Sequence, residues 1–129
     1  MNAVPLPQFR TDLARAARIV LTNGLMQGSL FDYDQAERDQ IPPQECRVCG
    51  LGAIHTAITG TPSPERWTND RYTAVTDHLA DFLFAHYGGE MTLPKFNDKP
   101  GRTAVQVARL LRKAAVWTKS PAPAVALAA

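Results

Sequence analysis

Residues 103–117, TAVQVARLLRKAAVW, decide the fold. Thr103 and Gln106 stand at the Thr-x-x-Gln spacing of a capping box, in which each side chain satisfies an amide that a helix start leaves free. Val107, Leu110, Leu111 and Ala114 then recur at helical intervals, so they share an inward face, and Arg102, Arg109, Arg112 and Lys113 fall on or beside the outer one. An amphipathic helix with its own start signal is the unit from which the rest of the chain is read.

Working upstream, the same periodicity appears in Tyr72, Val75, Leu79, Phe82, Leu83 and His86, closed by Gly88-Gly89. Ser63-Pro64-Glu65 supplies a helix start before it, and Asn69 can cap a second start within it. A shorter helix is expected from about Cys46 to Gly60, with Cys49, Ala53, Ile54 and Ala57 on one face. Gly50 and Gly52 there permit another backbone to come close. The first helix runs from about Thr11 to Asn23 on Leu13, Ala16, Ala17, Val20 and Leu21, and Asn23-Gly24 ends it.

Between these lie two stretches without a stripe. Residues 25–45 combine Gly28, an acidic cluster and Pro42-Pro43, and read as one long irregular loop. Residues 90–102 read as a linking loop, in which Met91-Thr92-Leu93 is the only extended candidate and Pro94 confines it to an edge. The expected fold is therefore mainly α: a compact bundle of about four helices with a long irregular loop between the first two. Residues 1–10 form an N-terminal arm, 11–118 a single helical domain, and 119–129 a flexible tail of Pro and Ala.

A chain of 129 residues with 45% hydrophobic content fills one core. It has no run of roughly 18 apolar residues for a membrane span, and Met1 to Arg10 lacks the pattern of a secretory signal, so the cytoplasm is the expected compartment. Its formal charge of +2 is too small to indicate a nucleic-acid protein from bulk electrostatics. The distribution is uneven, however: Asp32, Asp34, Glu37, Asp39 and Glu45 crowd one segment, while Lys and Arg dominate 95–119.

Two places could carry chemistry. Cys46 and Cys49 have the spacing of a thiolate pair, but a structural zinc needs two more ligands and no second pair exists, so neither metal nor cofactor is expected. A redox motif of this kind belongs to a βαβ context that is missing here. Cys49 near a helix N-terminus could instead act as a nucleophile. His55 points away from it, which leaves His78 or His86 as base, oriented by Asn97 or Asp98. The ordinary role for such a residue is a buried Cys on a face of small side chains.

The second place is Phe96-Asn97-Asp98 followed by Lys99-Pro100-Gly101-Arg102-Thr103, which sets polar groups and a cation before a helix N-terminus that could hold an anion. Asn97 and Asp98 bonding to a turn, with Thr103 as cap, explains the same residues without a ligand.

Cys49-Gly50-Leu51-Gly52-Ala53-Ile54, together with Phe96-Asn97-Asp98, Thr103, Val107 and Leu110-Leu111, resembles a family of small uncharacterised proteins of actinobacteria and their phages. That family shows Cys-x-x-Gly-Ala-Leu at its centre and aromatic-Asn-Asp-x-x-x-x-Thr before its last helix. The resemblance implies a domain of unknown function. It joins Cys49, Asn97, Asp98 and Thr103 as residues expected to converge, as a site or as a junction, and it offers Cys46 no counterpart.

The leading expectation is a non-enzymatic binding or interaction module, with a small polar pocket near Cys49 and Asn97-Asp98 that takes a protein partner or a small anionic ligand through Asn97, Asp98, Arg102 and Thr103. A cysteine-dependent hydrolase or transferase built on Cys49 and His86 is the alternative from another class. The third is a phosphate or nucleic-acid binder using the basic face of the last helix.

Overall fold

The computed structural model describes residues 6–64 and 70–119. Among the described residues six helices follow one another: α1 (Leu6–Asn23), α2 (Tyr33–Asp39), α3 (Gly50–Thr59), α4 (Asp70–Tyr87), α5 (Leu93–Asp98) and α6 (Ala104–Val116). A 3-10 turn, Pro43–Glu45, precedes α3. Among the described residues there is no strand, only isolated bridges from Val48 to Leu25 and to Phe31. No described helix is long and apolar enough to cross a membrane.

The apolar stripes read from sequence supply much of the core, although Leu21, at 38% exposed, and the exposed His86 stand outside it and Tyr72 is only half-buried. Leu13, Ala16, Ala17 and Val20 of α1 are fully buried, and α1 lies against α6 and α3. Val107, Ala108, Leu110, Leu111, Ala114 and Ala115 form the inner face of α6. Its capping box closes as the sequence requires: Gln106 N–H donates to Thr103 Oγ1 at 3.2 Å, and Thr103 N–H to Gln106 Oε1 at 3.0 Å. Val75, Leu79, Phe82 and Leu83 are the buried residues of α4, and Gly88, at φ +88°, closes that helix as expected.

Several boundaries move. The first helix starts at Leu6 rather than Thr11. The third element starts at Gly50 rather than Cys46, because Cys49 is its N-cap and Val48 is held extended by Met26 and Gly24: Met26 N–H donates to Val48 O, and Val48 N–H to Gly24 O, each at 3.0 Å. Of the expected start at Ser63-Pro64-Glu65, Ser63 and Pro64 are not helical and Glu65 lies outside the described residues, as does the expected cap Asn69.

The described residues hold six helices rather than about four, because each supposed loop contains one. In the first, Asp32 accepts from Gln35 N–H at 2.9 Å and caps α2, and Arg47 grips the same carboxylate at 2.7 Å. Those two contacts, the amide first, hold the Asp32 carboxyl below the usual carboxylate range. In the second, Thr92 accepts from Lys95 N–H at 3.2 Å, and Pro94 occupies the first turn of α5. Thr92 and Leu93 are thus a helix cap and the first helical residue rather than part of a strand, followed by a proline that a first turn tolerates.

Gly52 fixes how the remaining irregular segment lies on α3. A Cβ there would stand 2.3 Å from Leu30 O and 2.8 Å from Val48 Cγ2, so only glycine lets the 24–31 backbone run this close to the helix. Gly50 is crowded by side chains instead, with Leu93 Cδ1 at 3.1 Å and Val107 Cγ1 at 3.3 Å from such a Cβ.

Candidate binding pocket

Cys49 ends the extended residues and begins α3, its Sγ accepting from Gly52 N–H at 3.2 Å. Burial pushes the thiol up from its ordinary pKa. The Gly52 and Leu51 amides pull the other way, and the Asp98 charge adds to the rise. At neutral pH it is a protonated capping group rather than a primed nucleophile. Cys46 is also buried and donates to Pro42 O at 3.5 Å, so the two thiols serve different partners. Among the described residues no three His, Cys, Asp or Glu side chains gather as a metal site.

Asn97, 1% exposed, is the centre of the site. Its Oδ1 accepts from Gly50 N–H at 2.8 Å, satisfying the first amide of α3. Its Nδ2 donates to Met26 O at 3.0 Å and to Asp98 Oδ1 at 2.9 Å. Asp98 Oδ1 also accepts from Gly28 N–H at 3.1 Å, while Gln27 Nε2 donates to the carbonyls of Asn97 and Lys99 at 3.0 and 2.8 Å. The 24–31 segment, the start of α3 and the end of α5 are thereby tied at one point.

Beside this junction lies a pocket of about 220 Å3. Leu30, Leu51, Leu93 and Pro94 make its apolar walls, and Ser29, Cys49, Asn97 and Asp98 bring its polar side chains. Most of the first amides of α3 are already engaged: Gly50 N–H serves Asn97, Gly52 N–H serves the Cys49 sulfur, Ala53 N–H serves Cys49 O, and the Leu51 amide acts on the same sulfur. With a carboxylate at the rim, the pocket suits an apolar group bearing a donor or a positive charge better than an anion.

Of the residues singled out in the sequence, the structure brings together Cys49, Asn97 and Asp98. It does not bring His86 to them. His86 Nδ1 meets Phe82 O at 3.0 Å, His78 Nε2 meets Ala114 O at 2.8 Å, and both rings sit against Trp117. Nor do Arg102 and Thr103 reach the pocket. Arg102 Nε donates to Phe96 O at 2.7 Å, its guanidinium lies 3.6 Å from the centre of the Phe96 ring, and Thr103 is occupied as the α6 cap.

Sequence reasoning missed Ser29, Leu30, Leu51, Leu93 and Pro94 as lining residues. Gly28, at φ +82°, was the available signal, because a lone glycine in a polar stretch marks a backbone turn that a partner must fix. Also missed was the ion pair of the wholly buried Asp12 with Arg71, which ties α1 to α4.

Fold and site together define a class: a small helical domain in which a buried asparagine locks an irregular segment to a helix start and so shapes a pocket. Within that class the chain belongs to a family of unknown function, DUF6197, whose family model matches residues 5–116. No curated protein and no solved structure matches it.

Proposed function

We propose that the domain is a non-enzymatic binding module whose pocket receives a small, mainly apolar group carrying a hydrogen-bond donor or a positive charge, presented by a partner protein or a small ligand. The observation that carries this reading is the combination of four apolar wall residues with one carboxylate at the rim. Asp98 points the preference away from the small anion that the sequence favoured. A cysteine-dependent reaction is the weaker reading, because Cys49 is protonated, capping and without a histidine in its pocket. The setting attached to this reading is the cytoplasm of an actinobacterial cell or its phage, and the two free thiols favour a reducing compartment.

Nuclear magnetic resonance with isotope-labelled protein tests the pocket directly. Benzylamine and phenethylamine at millimolar concentration are expected to shift the amides of Gly28, Ser29 and Leu51, whereas benzoate and phenylacetate leave them in place. A Leu51→Trp variant, with the pocket filled, should lose the response. Amides that respond equally to acids and amines, or shifts that survive Leu51→Trp, would remove the proposal.

A further inference from the structure

The surface of α6 is independent of that pocket and carries an unanswered charge. Among the described residues the ion pairs are Arg38–Asp39, Arg47–Asp32 and Arg71–Asp12, so Arg102, Arg109, Arg112 and Lys113 have no carboxylate partner there. No acid occurs anywhere in α6. The helix dipole repays a cation in the last turn, which accounts for Lys113. It does not account for Arg109, four residues before a like charge, or for Arg102, which precedes the N-cap at the positive end of the dipole. Arg102 is held in place by the Phe96 carbonyl and ring, whereas the Arg109–Lys113 repulsion has no such relief among the described residues; an external anion would ease it.

The shape is as specific as the charge. Arg109 and Lys113 border two adjoining concavities: one shared with Arg112, the other with Arg102, Phe96 and Tyr87. In the second, the Arg102 guanidinium is stacked on Phe96, and the Tyr87 ring, 48% exposed, stands 6.1 Å from Phe96. A cationic plane and an exposed ring beside a row of cations offer stacking surfaces next to phosphate sites. The exposed acids of α4, Asp70, Asp77 and Asp81, line neither concavity.

We propose that this face binds single-stranded nucleic acid, with phosphates on Arg109, Arg112 and Lys113 and a base held against Tyr87 and the Arg102–Phe96 pair. A purely acidic protein segment would use the cations and leave the rings unmet, whereas a strand with both phosphates and bases uses the two together.

The test is fluorescence anisotropy of the full chain with labelled oligo-dT across roughly 50 to 200 mM salt. Wild type should bind at the low end, with log affinity falling against log salt at a slope of about −2, the value for three phosphate contacts on a single strand. Tyr87→Ala should bind about tenfold more weakly with the slope preserved, since it removes stacking and no charge. Arg109→Glu/Lys113→Glu should abolish binding. Arg109→Gln/Lys113→Gln, which keeps good helix formers at both exposed sites, should weaken it and flatten the slope. Absence of wild-type binding at low salt overturns the proposal, as does a glutamine variant that binds like wild type. Displacement by poly-glutamate as effective as by unlabelled oligo-dT, with Tyr87→Ala indifferent, would assign the face to an acidic protein instead.

Discussion

Asn97 has no charge and no reactive atom, yet three separate segments depend on its amide. Its oxygen takes the free Gly50 amide, and its nitrogen spans Met26 O and Asp98 Oδ1. Both ends must have the right polarity, because each partner is a fixed donor or a fixed acceptor. Asn97→Asp is a near-isosteric change that keeps the first contact and turns the other two into oxygen facing oxygen. With the site buried, unfolding free energy is expected to fall by about 3 kcal/mol, measured by urea denaturation. A variant as stable as wild type would mean that the junction does not hold the loop.

At the scale of elements, the helix that organised the sequence reading is also the one with a self-contained start. Thr103→Ala removes the oxygen that receives Gln106 N–H and should lower stability by about 1 kcal/mol, seen as a melting point about 4 °C lower, with the pocket amides unmoved. The helices visible in the sequence, α1, α3, α4 and α6, are those long enough to repeat an apolar face. The two that were missed, α2 and α5, have 7 and 6 residues, less than two turns, so no periodicity can develop. What holds them is remote in sequence: Arg47 on Asp32 for the first, Met26 and Gly50 on Asn97 for the second. The same limit applies to the site. The meeting of Cys49 with Asn97 and Asp98 came from a family resemblance rather than from spacing, because the path of residues 24–31 depends on their approach to Gly52, which no local pattern reveals. His86 was proposed by elimination, since His55 points away from Cys49, and elimination does not tell which side of a bundle a helix end faces.

Taken as a whole, the molecule encloses one base whose protonation the fold resists. His55 is 1% exposed and stacked on Tyr72, with ring centres 4.5 Å apart, and burial lowers its pKa from 6.5 to about 4. The unfolded chain therefore takes up a proton near pH 6.5 that the folded chain refuses until about pH 4, so stability falls as acid is added across that window. The loss should reach about 3 kcal/mol and then level off below about pH 4. Asp32, with its folded pKa below 3.8, contributes stability that is lost only at still lower pH, so the two effects are separable. Urea melts between about pH 7 and pH 4 check this, and His55→Phe should flatten the profile there.

The pocket has one more consequence. Its walls come from residues some 70 positions apart along the chain, joined where Gln27 and Gly28 meet Asn97 and Asp98. Unfolding separates these walls, so the denatured chain has nothing with which to hold an occupant. Any molecule seated there is in effect a removable cross-link, worth about 2.7 kcal/mol to the folded state at a hundredfold excess over its Kd. The natural ligand can thus be sought with no assay for its function, by heating the protein in cell extracts fractionated by size and charge and following whichever fraction delays melting.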